Sequence, residues 1–207
     1  MRCIILAEDN DWKELFEDKE AFVHLYEVHT PEEFSLEVGE AYFDFRNEIW
    51  DAPFWPLKNG QPIFIAGVAG TLKDHHCPDQ IIRLNSWPGM LKHDLVECVG
   101  SDKIRPLAQQ VLNALNKTAS WLPDHPGMVS PRVLSMIINE AWFALGEGVS
   151  TKKDIDTAMK LGTNYPLGPF EWGAKIGLHR ICHLLYTLNI ENERYRIAPL
   201  LLREIGL

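Results

Sequence analysis

An asparagine and a glutamate near the middle of the chain stand where α/β proteins keep reactive side chains. Segment 80–85 is apolar and rich in strand-forming residues, and Asn85 is its last residue. Glu97 follows twelve residues later, inside a second apolar segment, 95–99. The carboxyl end of a strand is the usual position for chemistry in such proteins. The neutral carboxamide of Asn85, however, has no useful basicity near neutral pH.

Glycine spacing bears on phosphate binding. A dinucleotide-binding turn carries G-x-G-x-x-G after its first strand, so that a pyrophosphate can approach backbone amides at a helix N-terminus. The first predicted strand, 2–7, is followed instead by Glu-Asp-Asn-Asp at 8–11, and the first glycine of the chain is Gly39. Gly67 and Gly70 follow a later strand and could bind an anion, although a tight turn is the favoured interpretation of this short G-x-x-G pattern.

Histidines and cysteines raise the possibility of a metal site. Residues 75–77 read His-His-Cys, His93 follows, and His179 and His183 lie four apart on one predicted helix. Adjacent ligands rarely point to one ion, and neither group has a suitably spaced second pair or an H-E-x-x-H pattern. The sequence therefore predicts no metal site.

Composition excludes several classes of partner. The formal net charge is −9, from 20 basic and 29 acidic residues, so a nucleic-acid backbone or an anionic membrane would repel the chain. No apolar run approaches the roughly 20 residues of a membrane span. The segment at the N-terminus is too short for a signal peptide and is interpreted as a strand. The four cysteines are widely separated and predict a reduced, cytoplasmic protein.

The first part of the chain alternates short apolar runs with polar, helix-prone runs, which predicts a mostly parallel sheet. Thr30 is a predicted helix N-cap, followed by Pro31 and by Glu33 in a capping box. An amphipathic helix is predicted over 102–115. The predicted strands are 2–7, 22–28, 41–46, 62–68, 80–85, 95–99 and 118–123.

Beyond a boundary at 124–127 the pattern becomes helical. Helix 132–148 is apolar nearly all round, which predicts burial on several sides, either within its domain or against another subunit. Ser150 or Thr151 is expected to cap the next helix. The other predicted elements are helix 152–162, which Gly162 closes, a rigid turn at 164–173 and a final helix at 176–188.

Residues 126–178 resemble the helical C-terminal domain of the 3-hydroxyacyl-CoA dehydrogenase family, most closely in its 3-hydroxybutyryl-CoA dehydrogenase-like members. The resemblance rests on the order and spacing of short motifs, and it is specific from about residue 80 onwards and poor over the first 70 residues, which look shortened. The motifs are Asn139-Glu140-Ala141, Gly148-Val149, Asp154-Ile155-Asp156, Lys160-Leu161-Gly162 and Tyr165-Pro166-x-Gly168-Pro169.

This resemblance implies an α/β plus all-α fold. Residues 1–124 would form a reduced, Rossmann-like, mostly parallel sheet domain. Residues 125–207 would form a helical dimerisation domain of the 6-phosphogluconate dehydrogenase C-terminal type, in which the family makes its homodimers.

The resemblance also assigns candidate site residues. The family's catalytic base is a histidine at a strand end, oriented by a glutamate twelve positions later; here these positions hold Asn85 and Glu97. Pro131 stands where the family has an asparagine directly before the arginine aligned with Arg132, and so lacks a hydrogen-bond donor. Thr71 lies in the segment aligned with the family's serine-rich turn and retains a hydroxyl.

Two functions follow from these departures. The first is a catalytically impaired or inactive relative, a pseudoenzyme of fatty-acid and acyl-CoA metabolism, which acts as a dimeric binding or scaffold protein, binds acyl-CoA or a protein partner and uses no cofactor. The alternative is an active NAD-dependent oxidoreductase on 3-hydroxyacyl-CoA with a rewired site, for which His93 or His125 would supply the missing base.

Overall fold

In the part of the chain that the structure describes, seven strands form one sheet in the order β2-β1-β3-β4-β5-β6-β7. The computed structural model describes residues 1–17, 23–46, 48, 50, 55–57 and 60–207. The first five strands in this order run parallel, β6 is antiparallel to β5, and β7 is parallel to β6. The strands are β1 Arg2–Leu6, β2 His24–Val28, β3 Ala41–Asp44, β4 Ile63–Ile65, β5 Ile81–Leu84, β6 Leu95–Val99 and β7 Thr118–Trp121.

The strand order places a topological switch point at β1. The connection from β1 leads to β2 on one side of it, and the chain then returns to β3 on its other side, so the strand order reverses here. Such sheets bind ligands in the crevice outside the carboxyl ends of the strands at this point, here β1 and β3. A common dinucleotide-binding sheet has two further strands on the outer side of its first strand. The described residues supply one, β2. The predicted mostly parallel, reduced Rossmann-like sheet is therefore confirmed.

Alternation of side chains along the strands produces two apolar layers, because successive residues of a strand face opposite sides of the sheet. Ile5, Phe43 and Phe64 belong to one buried cluster, while Ile4 and Tyr42 belong to the other. Each strand in the middle of the sheet is thus buried on both faces, as parallel strands usually are.

The chain divides into two compact units, Met1–Met128 and Val129–Leu207. The first contains helices α1 (Pro31–Leu36) and α2 (Arg105–Ala114), and the second is helical. The domain boundary expected between residues 124 and 125 stays a prediction. The helices of the second unit are α3 Ser130–Gly146, α4 Lys152–Thr163, α5 Pro169–Ile176, α6 Leu178–Glu191 and α7 Pro199–Glu204.

Local capping explains where two helices, α1 and α4, begin. The Thr30 hydroxyl accepts a hydrogen bond from the Glu33 amide at 3.2 Å, as predicted for an N-cap. The Glu33 carboxylate, however, accepts from the His29 amide and not from that of Thr30, so the reciprocal half of the predicted capping box is displaced by one residue. Thr151 caps α4 by accepting from the Asp154 amide.

Two predictions about the helical unit were wrong in detail. Gly162 does not close α4, which continues to Thr163 and ends at Asn164 in the left-handed conformation (φ 57°). The predicted turn 164–173 is a turn only in its first half, because α5 begins at Pro169. A proline at the first helical position costs no hydrogen bond, since an N–H at that position would have no partner within the helix.

Helix α3 is the centre of the second unit and packs against α5, α6 and α7. Ser135, Ile138 and Asn139 lie on its buried face. The Asn139 carboxamide donates to the Arg196 carbonyl at 2.9 Å and accepts from the Ala198 amide at 2.8 Å, which fixes the segment before α7. On its other side Met136, Ile137 and Ala144 are half-buried and Val133 is exposed, so the predicted burial on several sides is only partly met within this unit.

Candidate active site

Asn85 and Glu97 lie in contact at the carboxyl end of β5. The Asn85 amide donates to the Glu97 carbonyl at 3.0 Å, as the antiparallel pairing of β5 and β6 requires. The Asn85 Nδ2 donates to the Glu97 Oε2 at 3.3 Å, and its Oδ1 accepts from the Trp87 amide at 3.4 Å. Asn85 is buried and Glu97 is half-buried. The two side chains are thus within hydrogen-bonding distance of each other, and the group that faces the Glu97 carboxylate is a carboxamide.

Thr71 lies in the segment that follows β4. Its hydroxyl donates to the Asp74 carboxylate at 2.7 Å and accepts from the Asp74 amide at 3.0 Å. Both bonds stabilise a local turn, and the side chain is buried. The hydroxyl is therefore held by its own turn.

A buried arginine and its hydrogen-bond partners hold the start of the segment that follows β4. Arg83, in β5, is fully buried, and its guanidinium donates to the Asp124 carboxylate at 2.7 Å and to the carbonyls of Gly67 and Val68 at 2.8 and 2.9 Å. Burial lowers the pKa of Arg83, and the hydrogen bond and charge of Asp124 oppose that change. An arginine remains charged under these conditions, so its partners must satisfy it inside the protein.

Asp124 extends this network to the chain after β4. Its two carboxylate oxygens accept from the amides of Leu72 and Lys73 at 3.1 and 3.0 Å. Glu48 holds the residues just before Leu72, because its carboxylate accepts hydrogen bonds from the amides of Val68, Ala69 and Gly70. Two acidic side chains and one buried arginine therefore hold the whole segment 67–73.

Sequence reasoning missed Glu48, Arg83 and Asp124. A signal for one of them was present: Arg83 is a lone charged residue inside the apolar run IIRL, and an arginine in a buried strand needs buried partners. The identity of those partners depends on which strands are neighbours, which no local pattern records.

The turn after β1 lacks the features of a phosphate-binding turn. It leads into a short 3-10 helix, Asp11–Leu15, and the Asp11 amide already donates to the Asp9 carboxylate at 2.9 Å. Trp12 is buried against Phe16 and Phe45. A pyrophosphate at this turn would meet acidic side chains and no N-terminus of an α-helix. The residues at this turn do not fit a nicotinamide dinucleotide bound in the usual way.

The remaining candidates lie in different settings. Pro131 is the second residue of α3 and is buried within the helical unit. His93 and His125 are exposed, and their backbone carbonyls accept hydrogen bonds from Lys117 and Arg83. In the part of the chain that the structure describes, no group of three histidine, cysteine, aspartate or glutamate side chains could hold a metal ion. Nor is any described helix long and apolar enough to cross a membrane.

Comparisons with known proteins agree on one family. Residues 127–205 match the family model described as 3-hydroxyacyl-CoA dehydrogenase, C-terminal domain. The 3-hydroxyadipyl-CoA dehydrogenase of Escherichia coli K12 is 41% identical over 123 residues, which is 58% of this chain and 26% of that protein. The 3-hydroxybutyryl-CoA dehydrogenase of Clostridioides difficile is 30% identical over 153 residues, covering 71% of this chain and 53% of that protein. The chain thus spans between about a quarter and about half of these relatives.

A solved structure supports the same fold. The (S)-3-hydroxybutyryl-CoA dehydrogenase PaaH1 of Ralstonia eutropha superposes with a TM-score of 0.74 over 99% of this chain and 93% of that one, at 19% identity. The chain is thus built like the dehydrogenases that join a Rossmann-like sheet to a helical domain. It belongs to the 3-hydroxyacyl-CoA dehydrogenase family.

Proposed function

We propose that this protein binds acyl-CoA within acyl-CoA and fatty-acid metabolism but is catalytically impaired, and that it acts as a dimeric binding or scaffold protein. The observation that carries the proposal is Asn85, which contacts Glu97 in the place where the family resemblance puts a histidine base. A carboxamide cannot accept the hydroxyl proton of a 3-hydroxyacyl group. It can still donate a hydrogen bond to a ligand carbonyl, which supports binding without oxidation.

The acidic turn after β1 supports the absence of a bound dinucleotide. The Asp11 amide already donates its hydrogen bond to the Asp9 carboxylate. Residues 11–15 form a 3-10 helix, and Trp12 is buried in the core. Bringing a pyrophosphate against these carboxylates would cost free energy that a glycine turn avoids. The proposed protein therefore uses no cofactor, and NAD belongs only to the alternative function.

The exposed face of α3 supports a homodimer through the C-terminal helices. Val133 has 54% of its surface exposed, and an apolar groove of about 630 Å³ runs beside it. A second copy of this chain would remove this apolar surface from water. We define the α3 groove by the residues that line it: Arg132, Val133, Met136, Ile137, Glu140, Ala141, Ala144, Ile155, Met159, Pro169, Arg194 and Tyr195.

A cytoplasmic location and the exclusion of nucleic acid complete the proposal. All four cysteines are free thiols, as a reducing compartment favours. The net charge of −9 opposes binding to nucleic acid or to anionic membranes. The partners proposed are therefore acyl-CoA and a second copy of the chain.

The alternative function is an active NAD-dependent dehydrogenase with a rewired site. Glu97 favours it, because the orienting carboxylate is retained beside the candidate position. Loss of a general base alone lowers a rate by about 10²–10⁴-fold, which can leave measurable turnover. His93 and His125 are the candidate substitutes, and replacing each by glutamine tests them.

Calorimetric titration separates the two functions. The intact protein is titrated with acetoacetyl-CoA and, in a separate run, with NADH, and turnover is followed by the absorbance of NADH. The proposal expects heat of binding for acetoacetyl-CoA, none for NADH and no turnover. Binding of NADH accompanied by acetoacetyl-CoA reduction would establish the alternative, and absence of any acetoacetyl-CoA binding would reject the proposed function.

A further inference from the structure

The turn that joins β4 to the following segment holds a carboxylate of the protein itself. Three consecutive backbone amides, of Val68, Ala69 and Gly70, donate to the carboxylate of Glu48. The Ala69 and Gly70 bonds measure 2.6 and 3.0 Å and reach different oxygens, Oε1 and Oε2. Convergent backbone N–H groups of this kind are a recognised means of binding anions.

Arg83 explains why these amides converge. Its guanidinium holds the carbonyls of Gly67 and Val68 at 2.8 and 2.9 Å. In a trans peptide the C=O and N–H point in opposite directions. The amides that share those two peptide units, of Val68 and Ala69, are therefore turned away from Arg83 and towards Glu48. Arg83 thus orients two peptide units so that both N–H groups point at the Glu48 carboxylate.

The backbone conformation of Glu48 and the position of the Trp50 ring also indicate that this turn is built to bind a carboxylate. Glu48 has a φ of 55°, a left-handed conformation that non-glycine residues adopt at a cost. The ring of Trp50 lies against the turn, since a Cβ added at Gly67 or Gly70 would come within 2.7 or 2.6 Å of it. An apolar ring in this place limits solvent access, which strengthens charge-assisted hydrogen bonds.

We propose that residues 67–70 form a carboxylate-binding turn, oriented by Arg83, whose resident anion is Glu48, and that Glu48 keeps carboxylate ligands out while it is in place. The turn follows β4, the immediate neighbour of β5, and Asn85 comes directly after β5, so the turn lies at the carboxyl end of the strands, where such sheets bind ligands. This inference is independent of acyl-CoA binding and concerns a second, self-occupied site.

Acetate is the probe that tests the proposal. In Glu48→Ala, acetate titrated at constant ionic strength is expected to shift the amide resonances of Val68, Ala69 and Gly70 saturably and to raise the unfolding temperature. The wild-type protein should need an acetate concentration higher by about tenfold or more for the same shifts, because it must first displace Glu48. Equal responses in both proteins, or no response of these amides in Glu48→Ala, would overturn the proposal.

Three further variants sharpen the test. Glu14→Ala is the matched control, because the Glu14 carboxylate also accepts a backbone bond, but from the single amide of Gly89. Acetate should not stabilise it beyond the wild type. Adding Arg83→Met to Glu48→Ala should abolish the acetate shifts while the dispersed amide spectrum of the folded protein is retained, and survival of the shifts would refute the role of Arg83. If Glu48→Ala does not fold, Glu48→Gln decides, since its neutral amide should yield the site to acetate more readily than Glu48.

Discussion

Asn85 and Glu97 are joined twice across the antiparallel pair β5–β6, by a main-chain bond of 3.0 Å and a side-chain bond of 3.3 Å. The first bond belongs to the sheet and would form with any residue other than proline at position 85. The second depends on side-chain chemistry. A side chain placed at position 85 therefore faces the Glu97 carboxylate, which makes a single substitution informative.

Restoring the imidazole separates loss of the base from loss of the nucleotide turn. We expect Asn85→His, alone or with Pro131→Asn, to show no acetoacetyl-CoA-dependent oxidation of NADH, because the acidic turn after β1 is unchanged. The measurement is a steady-state assay by NADH absorbance, with acetoacetyl-CoA binding by calorimetry as the check on folding. A rate gain of about 10²-fold or more over the wild type would show instead that the chain holds NADH well enough to react.

The ion pair of Arg83 and Asp124 is expected to be essential for stability. Asp124→Ala leaves a fully buried guanidinium without its counter-charge, and the free energy of unfolding should fall by about 3–5 kcal/mol. Urea unfolding followed by tryptophan fluorescence measures the change. The matched control is Asp79→Ala, which removes an exposed pair with Lys103 and should leave the midpoint unchanged. Similar midpoints for the two variants would contradict this assignment.

Thiol chemistry should follow burial. Burial raises the pKa of Cys77 and Cys182 to about 11 and that of Cys3 to about 12, and it raises the pKa of Cys98 as well. A raised pKa means that little thiolate is present at about pH 8, so alkylation of the native protein should be slow at all four positions. Half-buried Cys77 is expected to react first.

Mass spectrometry after timed iodoacetamide treatment checks this order, with the same treatment in urea as the control. All four thiols should react rapidly once the protein is unfolded. Rapid native labelling of fully buried Cys98 would show that β6 opens far more often than its place inside the sheet implies.

The α3 groove should control association of the chains. Val133→Lys places a charge on its apolar surface, and the protein is expected to shift from dimer to monomer in sedimentation velocity. Leu36→Lys is the control, because Leu36 is equally apolar and 79% exposed but lies in the first unit. A wild-type protein that is monomeric at all concentrations, or a Val133→Lys protein that remains dimeric, would argue against dimerisation through this face.

Local sequence patterns predicted the elements correctly wherever neighbouring residues decide the outcome. Each predicted strand segment, five to seven residues long, contains an observed strand of three to five residues, and Thr30 and Thr151 cap helices, because these effects act within one turn or one strand. The contact of Asn85 with Glu97 follows from the family resemblance and the short connection between β5 and β6. Gly162 and the segment from Pro169 were misjudged because glycine can lie inside a helix as well as after its end, and proline can begin a helix as well as a turn.

The sequence by itself determined the alternation of strands and helices, the missing glycine turn and the absence of a base at position 85, since each is a property of residue types and spacing. Only the tertiary structure decided that Glu48 binds the amides after β4 and that Arg83 pairs with Asp124. Those contacts join residues separated by 21 and 41 positions. They exist because β3 lies beside β4 and β4 beside β5, and strand order is a choice among whole arrangements of the sheet that no local pattern encodes.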